Sequence, residues 1–284
     1  MKTFTNTENK NFIRTIDLGL IEKEFIHHGK KLRYFGLPSE GLYDIKAWKE
    51  YILEVYAAEI GSKSDPSSKQ SLLIANAIDI GIYDRLTLLR GEINSIIMNG
   101  YDEVGTKIKY PFELINLDYG GSILYKDRIR VNALDTLFKN QQKVDFLLFI
   151  TSNIREFDSE ELIKTQERIK KEFSHFSKKY EKKLDSFFNQ INTQESLFRQ
   201  IIHVHYLLKN LAEQKKYDIT CFPAIKYEGS RQTELIHYIF RLRYDIDAST
   251  KTPSEQRLID ILNQGAQELV NGKLADMKNL LIYI

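Results

Sequence analysis

Short apolar runs closed by polar or small residues alternate with segments of helical spacing through the first half of the chain. KLRYFGL (residues 31–37) is β-prone and is closed by Pro38. GLYDIKAWKEYI follows, with Leu42, Ile45, Trp48 and Ile52 at helix spacing. EVYAAEIG (54–61) reads as a strand ending in an acid, and SDPSSKQSLLIANAIDIGI opens with capping residues and Pro66 before turning helical. RLTLLRGEI (85–93) is a strand with a Gly-Glu end, and FELINLDYGGS (112–122) is a strand running into an acid, a ring and two glycines. RIRVNALDTLFKNQ is helical, and VDFLLFITSN (144–153) is a buried strand. This β-α alternation predicts a doubly wound, mostly parallel α/β sheet.

The rhythm changes after Asn153. Residues 159–216 contain neither Pro nor Gly, and Leu162, Ile169, Phe173, Phe176, Tyr180 and Leu184 lie on one helical seam. DITCFPAIKYEG and IHYIFRLRYD then read as strands that pair around a turn at 228–233. The tail from Pro253 holds a helix and a final apolar strand or helix. The expected organisation is a Rossmann-like core in 1–154, a helical insertion in 155–216, and a hairpin in 217–284 that completes the sheet as an antiparallel edge.

Composition adds boundaries. Hydrophobic residues at 42% and charged residues at 28% are ordinary for a globular domain and exclude a disordered chain. Cys221 is the only cysteine, so it forms no intramolecular disulfide and builds no zinc site by itself. The N-terminus lacks an apolar h-region, and no run approaches the ~18 apolar residues of a membrane span. A reducing compartment, the cytoplasm, is the expectation, with no membrane partner. The net charge of +2 is uneven: residues 1–154 carry 20 basic and 20 acidic groups, 155–216 carry 13 and 10, and 217–284 carry 8 and 9.

The chemistry gathers where the strands end, because open α/β sheets bind ligands beyond the carboxyl ends of their strands. Strand 1 ends in FGLPSEG, strand 2 in Glu59, strand 3 in Gly91-Glu92, strand 4 in Asp118-Tyr119-Gly120-Gly121 and strand 5 in Thr151-Ser152-Asn153. An acid after strand 2 suits two ribose hydroxyls, and a second after strand 3 suits an adenine amino group. Each acid alone also suits a solvated strand end; their order gives them weight.

Over residues 31–153 and 217–247 this order resembles the class I S-adenosylmethionine-dependent methyltransferases, whose sheet ends in an antiparallel hairpin strand. The resemblance implies a cofactor loop at Gly36 and Pro38, a ribose acid at Glu59, an adenine-side acid at Glu92, and Asp118 and Tyr119 facing the methyl group and acceptor. NLDYGGS is also similar to the Asp-Pro-Phe-Gly-Ser type loop of some tRNA guanine methyltransferases, with Tyr-Gly in place of Pro-Phe. The first loop, FGLPSEG, departs from the three-glycine pattern. The patterns G-x-G-x-x-G and G-x-x-x-x-G-K-[ST] are absent, which disfavours a nicotinamide dehydrogenase and a P-loop nucleotidase.

Lys164, Arg168, Lys171, His175, Lys178 and Lys182 recur at spacings of four and three, a basic stripe beside the apolar seam. It suits either a phosphate backbone or a solvated face relieved by Glu167, Glu172 and Glu181, while the seam suits a docked protein partner. His27-His28 and the pair His203 and His205 lack ligand-spaced partners and read as packed or exposed side chains; Cys221 reads as a buried strand thiol. The functional expectation is methyl transfer from S-adenosylmethionine to a nucleic acid. The alternative is a methyltransferase-like binding or scaffold subunit without catalysis.

Overall fold

The computed structural model describes residues 6–25, 29–59, 66–123, 128–141, 143–153, 160, 163–164, 167, 171, 196–247, 266–270 and 272–276. The chain divides into two compact units. The first comprises Met1–Asp118, Asn132–Ile150 and Gly229–Thr233; the second comprises Tyr119–Val131, Thr151–Glu228 and Glu234–Ile284.

The first unit carries the expected alternation: β1 (Leu32–Gly36), α2 (Tyr43–Trp48), β2 (Ile52–Glu59), α3 (Pro66–Asp79), β3 (Leu86–Arg90), α4 (Ile93–Asn99) and β4 (Leu114–Asp118). Helix α5 (Ile129–Asn140) leads to β5 (Phe146–Asn153), whose first residues belong to this unit. Strand order is β3-β2-β1-β4-β5. β1 runs parallel to both β2 and β4, and β2 runs parallel to β3. This is a Rossmann-like sheet, with the order reversing between β1 and β4. Every residue of β4 except Asp118 is buried, as expected of a parallel strand covered on both faces.

Aromatic side chains fill this core. Trp48 is fully buried between Tyr34 and Phe149, with ring centroids 6.4 and 5.8 Å away. Phe35 stacks on Phe112 at 5.2 Å. Burial of each such ring contributes on the order of 2–3 kcal/mol.

Sequence reading gave no helix before β1, yet α1 (Glu8–Phe25) is one of the longest described. Its docking face is narrow: Ile13, Asp17 and Ile21, spaced four apart, are its buried residues. Thr7 caps the start by accepting from the Lys10 N–H at 3.2 Å. The indole N–H of Trp48 donates to the carbonyl of Arg14 at 3.2 Å, pinning the helix at mid-length.

In the second unit, α6 (Ser196–Gln214) precedes β6 (Tyr217–Cys221), β7 (Ala224–Glu228) and β8 (Glu234–Tyr244). DITCFPAIKYEG is therefore two strands broken at Phe222-Pro223. Proline has no N–H for the ladder, but the Phe222 N–H still reaches the Ile239 carbonyl at 3.0 Å. Both strands pair antiparallel with the long β8, as the hairpin reading required. That pair is not the sheet edge, however. β9 (Ala266–Val270) pairs parallel with β7, and β10 (Lys273–Asp276) pairs antiparallel with β9 outside it. Of the expected insertion 155–216, residues 160, 163, 164, 167 and 171 and all of α6 are helical; every residue of its proposed apolar seam lies outside the described residues. Among the described residues, no helix is long and apolar enough to cross a membrane.

Candidate functional site

A cavity of about 210 Å³, open to solvent, lies in the first unit at the point where the strand order reverses. The turn after β1 supplies Leu37, Pro38, Ser39 and Glu40, while α2 supplies Tyr43 and Asp44. Glu59 ends β2, Asp118 ends β4, and Lys69 comes from α3. Asn6, Lys10 and Arg14, just before and on α1, complete the lining.

Backbone geometry explains how the turn forms without a glycine-rich loop. Ser39 (φ 58°) and Leu42 (φ 49°) adopt the left-handed conformation that glycine usually supplies. Such residues cost on the order of 1–3 kcal/mol each, and the surrounding structure has to hold them. Asn76 of α3 donates to the Glu40 carbonyl at 2.7 Å, and the Leu37 N–H donates to the Asn116 carbonyl at 2.9 Å. Gly36 has a different role from a loop glycine: a Cβ there would stand 2.0 Å from the Asn116 carbonyl oxygen. It sets the close approach of β1 and β4 and does not itself line the cavity.

Four carboxylates (Glu40, Asp44, Glu59, Asp118) face three cations (Lys10, Arg14, Lys69). Arg14 Nε donates to Asp44 Oδ1 at 2.5 Å and Asn116 Nδ2 donates to Asp44 Oδ2 at 2.8 Å. Burial raises the Asp44 pKa; Arg14 opposes that rise, and Asp118 and Asp17 add to it. Burial, with the neighbouring Asp44 charge, also pushes the Tyr34 phenol well up. Lys10 Nζ lies 3.5 Å from Asp118 Oδ2, and Lys69 Nζ lies 3.7 Å from Glu59 Oε1. Glu59 is 7% exposed, whereas the Asp118 side chain is 36% exposed. Glu40 Oε2 is buried with no hydrogen-bond partner among the described residues.

Pro38, Glu59 and Asp118 thus meet at one cavity. Glu92 does not join them. It is the N-cap of α4, accepting from the Ser95 N–H at 2.9 Å and Asn94 Nδ2 at 2.5 Å. Tyr119, read as an open stacking surface, is 3% exposed, with the Arg130 guanidinium 5.0 Å from its ring centroid. Gly120 after it does not mark a tight backbone approach: a Cβ there would meet nothing within 4 Å. Ser122 is tied down instead, its carbonyl accepting from Arg130 and its hydroxyl from Gln200 Nε2 at 3.1 Å.

Lys10, Arg14, Tyr43, Asp44 and Lys69 were not read as site residues. Thr7 three positions before Lys10, with Ile13, Asp17 and Ile21 following, is the signal that marks α1. Of the basic stripe, Lys164 pairs with Glu160 at 2.6 Å, and Lys171 is helical. Arg168, His175, Lys178 and Lys182 lie outside the described residues, as do His27 and His28. His203 and His205 are buried on α6, and Cys221 is a buried free thiol whose pKa burial pushes up to about 12. Among the described residues, no group of three or more His, Cys, Asp or Glu could hold a metal ion.

No protein-family model matches the chain, and no curated protein matches it. Solved structures of similar fold include Trm1 from Pyrococcus horikoshii with S-adenosyl-L-methionine, at 11% identity and TM-score 0.48, covering 98% of this chain and 65% of that one. The O-methyltransferase from Bacillus cereus in complex with SAH is 9% identical, with TM-score 0.46 and 85% and 84% coverage. A protein of the NADB-Rossmann superfamily from Streptococcus agalactiae is 10% identical, with TM-score 0.42 and 91% and 76% coverage. These likenesses are remote and assign neither cofactor nor acceptor. The chain's own strand order and pairing make it a Rossmann-like α/β protein, mostly parallel, with antiparallel strands towards the C-terminus.

Proposed function

We propose that the protein is an S-adenosylmethionine-dependent methyltransferase. The observation that carries the reading is the meeting of Glu59, Asp118 and the left-handed turn 37–42 in one cavity at the reversal of strand order. The donor set fits a nucleoside-bearing amino acid. Glu59 offers two acceptor oxygens to a ribose diol, and the mixture of Lys10, Arg14 and Asp118 suits a carboxylate beside an ammonium. The cavity is smaller than the ~300–1,000 Å³ that engulfs a drug-sized ligand, so part of the cofactor would stay open to the acceptor. When bound, the cofactor supplies an electrophilic methyl group.

Asp118, the more exposed carboxylate, orients the acceptor and takes its proton at a side-chain oxygen. The acceptor we propose is a nucleic acid, supported by the four- and three-residue recurrence of Lys164, Arg168, Lys171, His175, Lys178 and Lys182 in the sequence. The same apolar seam supports a protein partner beside the insertion.

Calorimetric titration of S-adenosylmethionine into wild type, Glu59→Ala and Asp118→Asn tests the core of the proposal. Glu59→Ala should weaken binding by about 1.5–3 kcal/mol, tenfold or more. Asp118→Asn, assayed with the cofactor saturating, should lose ~10²-fold in transfer. A well-folded wild type that binds no cofactor would refute the enzyme reading and leave a binding or scaffold subunit.

A further inference from the structure

The surface that sequence reading gave to Tyr119 has another candidate in the cavity itself. Tyr43 lines the cavity and is 37% exposed. Large aromatic rings left that open are common on protein surfaces; this one is held in place at unusual cost. It directly follows Leu42, whose φ of 49° is strained for a branched side chain. A Cβ on Gly41 would stand 2.4 Å from Tyr43 Cε2, so a side chain at 41 would displace the ring. Arg14 Cζ sits 5.3 Å from the ring centroid, and Arg14 is itself anchored to Asp44. A glycine, a left-handed leucine and an anchored guanidinium therefore fix one exposed ring beside the cavity.

The polar groups around it specify what would lie there. Carboxylates outnumber cations, and Glu40 Oε2 is a buried acceptor with no donor among the described residues. The site is therefore short of N–H or O–H donors, not of negative charge. We infer that Tyr43 is a stacking platform for a planar nitrogen heterocycle whose amino or ring N–H group donates to Glu40, the cavity carboxylate that has an oxygen without a donor among the described residues. This deepens the methyltransferase reading, on which it rests for the chemistry but not for the binding: the flat ring would be the methyl acceptor.

The test is equilibrium dialysis of labelled cytidine, adenosine and ribose against the full chain saturated with S-adenosylhomocysteine, which keeps nucleosides out of the cofactor's place. Both nucleosides should bind and ribose should not. Tyr43→Ala should weaken nucleoside binding about tenfold or more, the loss of one base–aromatic stack. Tyr43→Phe should restore it to within about twofold, since the ring and not the hydroxyl stacks. S-adenosylhomocysteine affinity and melting temperature of Tyr43→Phe should match wild type, and nucleoside binding by Tyr43→Ala is read with S-adenosylhomocysteine kept saturating. The inference is overturned if the saturated wild type binds no nucleoside, or if Tyr43→Ala binds nucleosides as well as wild type. If wild type fails to bind S-adenosylhomocysteine, the methyltransferase reading falls. The nucleoside titrations without it then still decide for or against Tyr43.

Discussion

His205 should make the protein acid-sensitive. Its imidazole is 0% exposed on α6, and neither ring nitrogen has a hydrogen-bond partner among the described residues. Tyr238 and Phe240 of β8 stand edge-on to it, with centroids 5.9 and 5.5 Å away. Burial alone lowers its pKa from 6.5 to about 3. The unfolded chain therefore binds a proton that the folded chain refuses. Its contribution to stability is complete above pH ~6.5, declines as pH falls below that value, and is lost once pH passes the folded pKa. At 1.36 kcal/mol per pKa unit, lowering the pH from 7 to 5 costs ~2 kcal/mol, or roughly 4–8 °C in melting temperature. His205→Leu keeps a side chain of similar volume and removes the titration. Melts of both proteins at pH 7 and 5 give the answer, because His203 and His237 remain in both and cancel in the difference. The wild type should lose several degrees more than the variant on acidification. If the two fall in parallel, His205 is hydrated or hydrogen-bonded in solution and the argument from burial is wrong.

Two further predictions concern the first unit. Gly36→Ala puts a methyl group against the Asn116 carbonyl, backbone on both sides with no rotamer to relieve it. Overpacking of about 1–3 kcal/mol should appear in a urea melt, and a change below ~0.5 kcal/mol would show that β1 and β4 can part without cost. Asp102 is buried and accepts from the N–H groups of Arg90, Val104 and Thr106 at 2.7–3.0 Å. Burial raises its pKa, but those bonds outweigh burial and leave the pKa lowered. Asp102→Ala should cost about 1–3 kcal/mol at pH 7 through unsatisfied amides. Because the folded pKa is the depressed one, the gap from wild type should close as pH falls below ~4; a gap independent of pH would mean the charge is irrelevant.

The five strands of the first unit were legible because a covered parallel strand is an unbroken apolar run, as LINL before Asp118 and FLLFITS before Asn153 show. Strand ends then located Glu59 and Asp118 without further information. The rest of the site was hidden for three physical reasons. Helix α1 docks through three buried side chains, one of them the polar Asp17, so its stripe is thin. Left-handed Ser39 and Leu42 do the work of glycines, which no residue pattern announces. Glu92 has the position of a ligand acid, but Ser95 and Asn94 supply donors that make it a cap. In the second unit, β9 and β10 escape sequence reading as a pair because AQELV and KLAD are short and mixed in polarity.

The pin between Trp48 and the Arg14 carbonyl has a consequence for how the cavity's charge is built. Two of its three cations ride on α1, a helix outside the β-α alternation that supplies the carboxylates. Sheet and charge balance are therefore separable. Were α1 to undock, Lys10 and Arg14 would leave together and four carboxylates would face Lys69 alone. The docking of one helix, through its buried side chains, its ion pairs and the Trp48 bond together, thus decides whether the cavity attracts a zwitterion or only a cation, without any change in the carboxylates themselves.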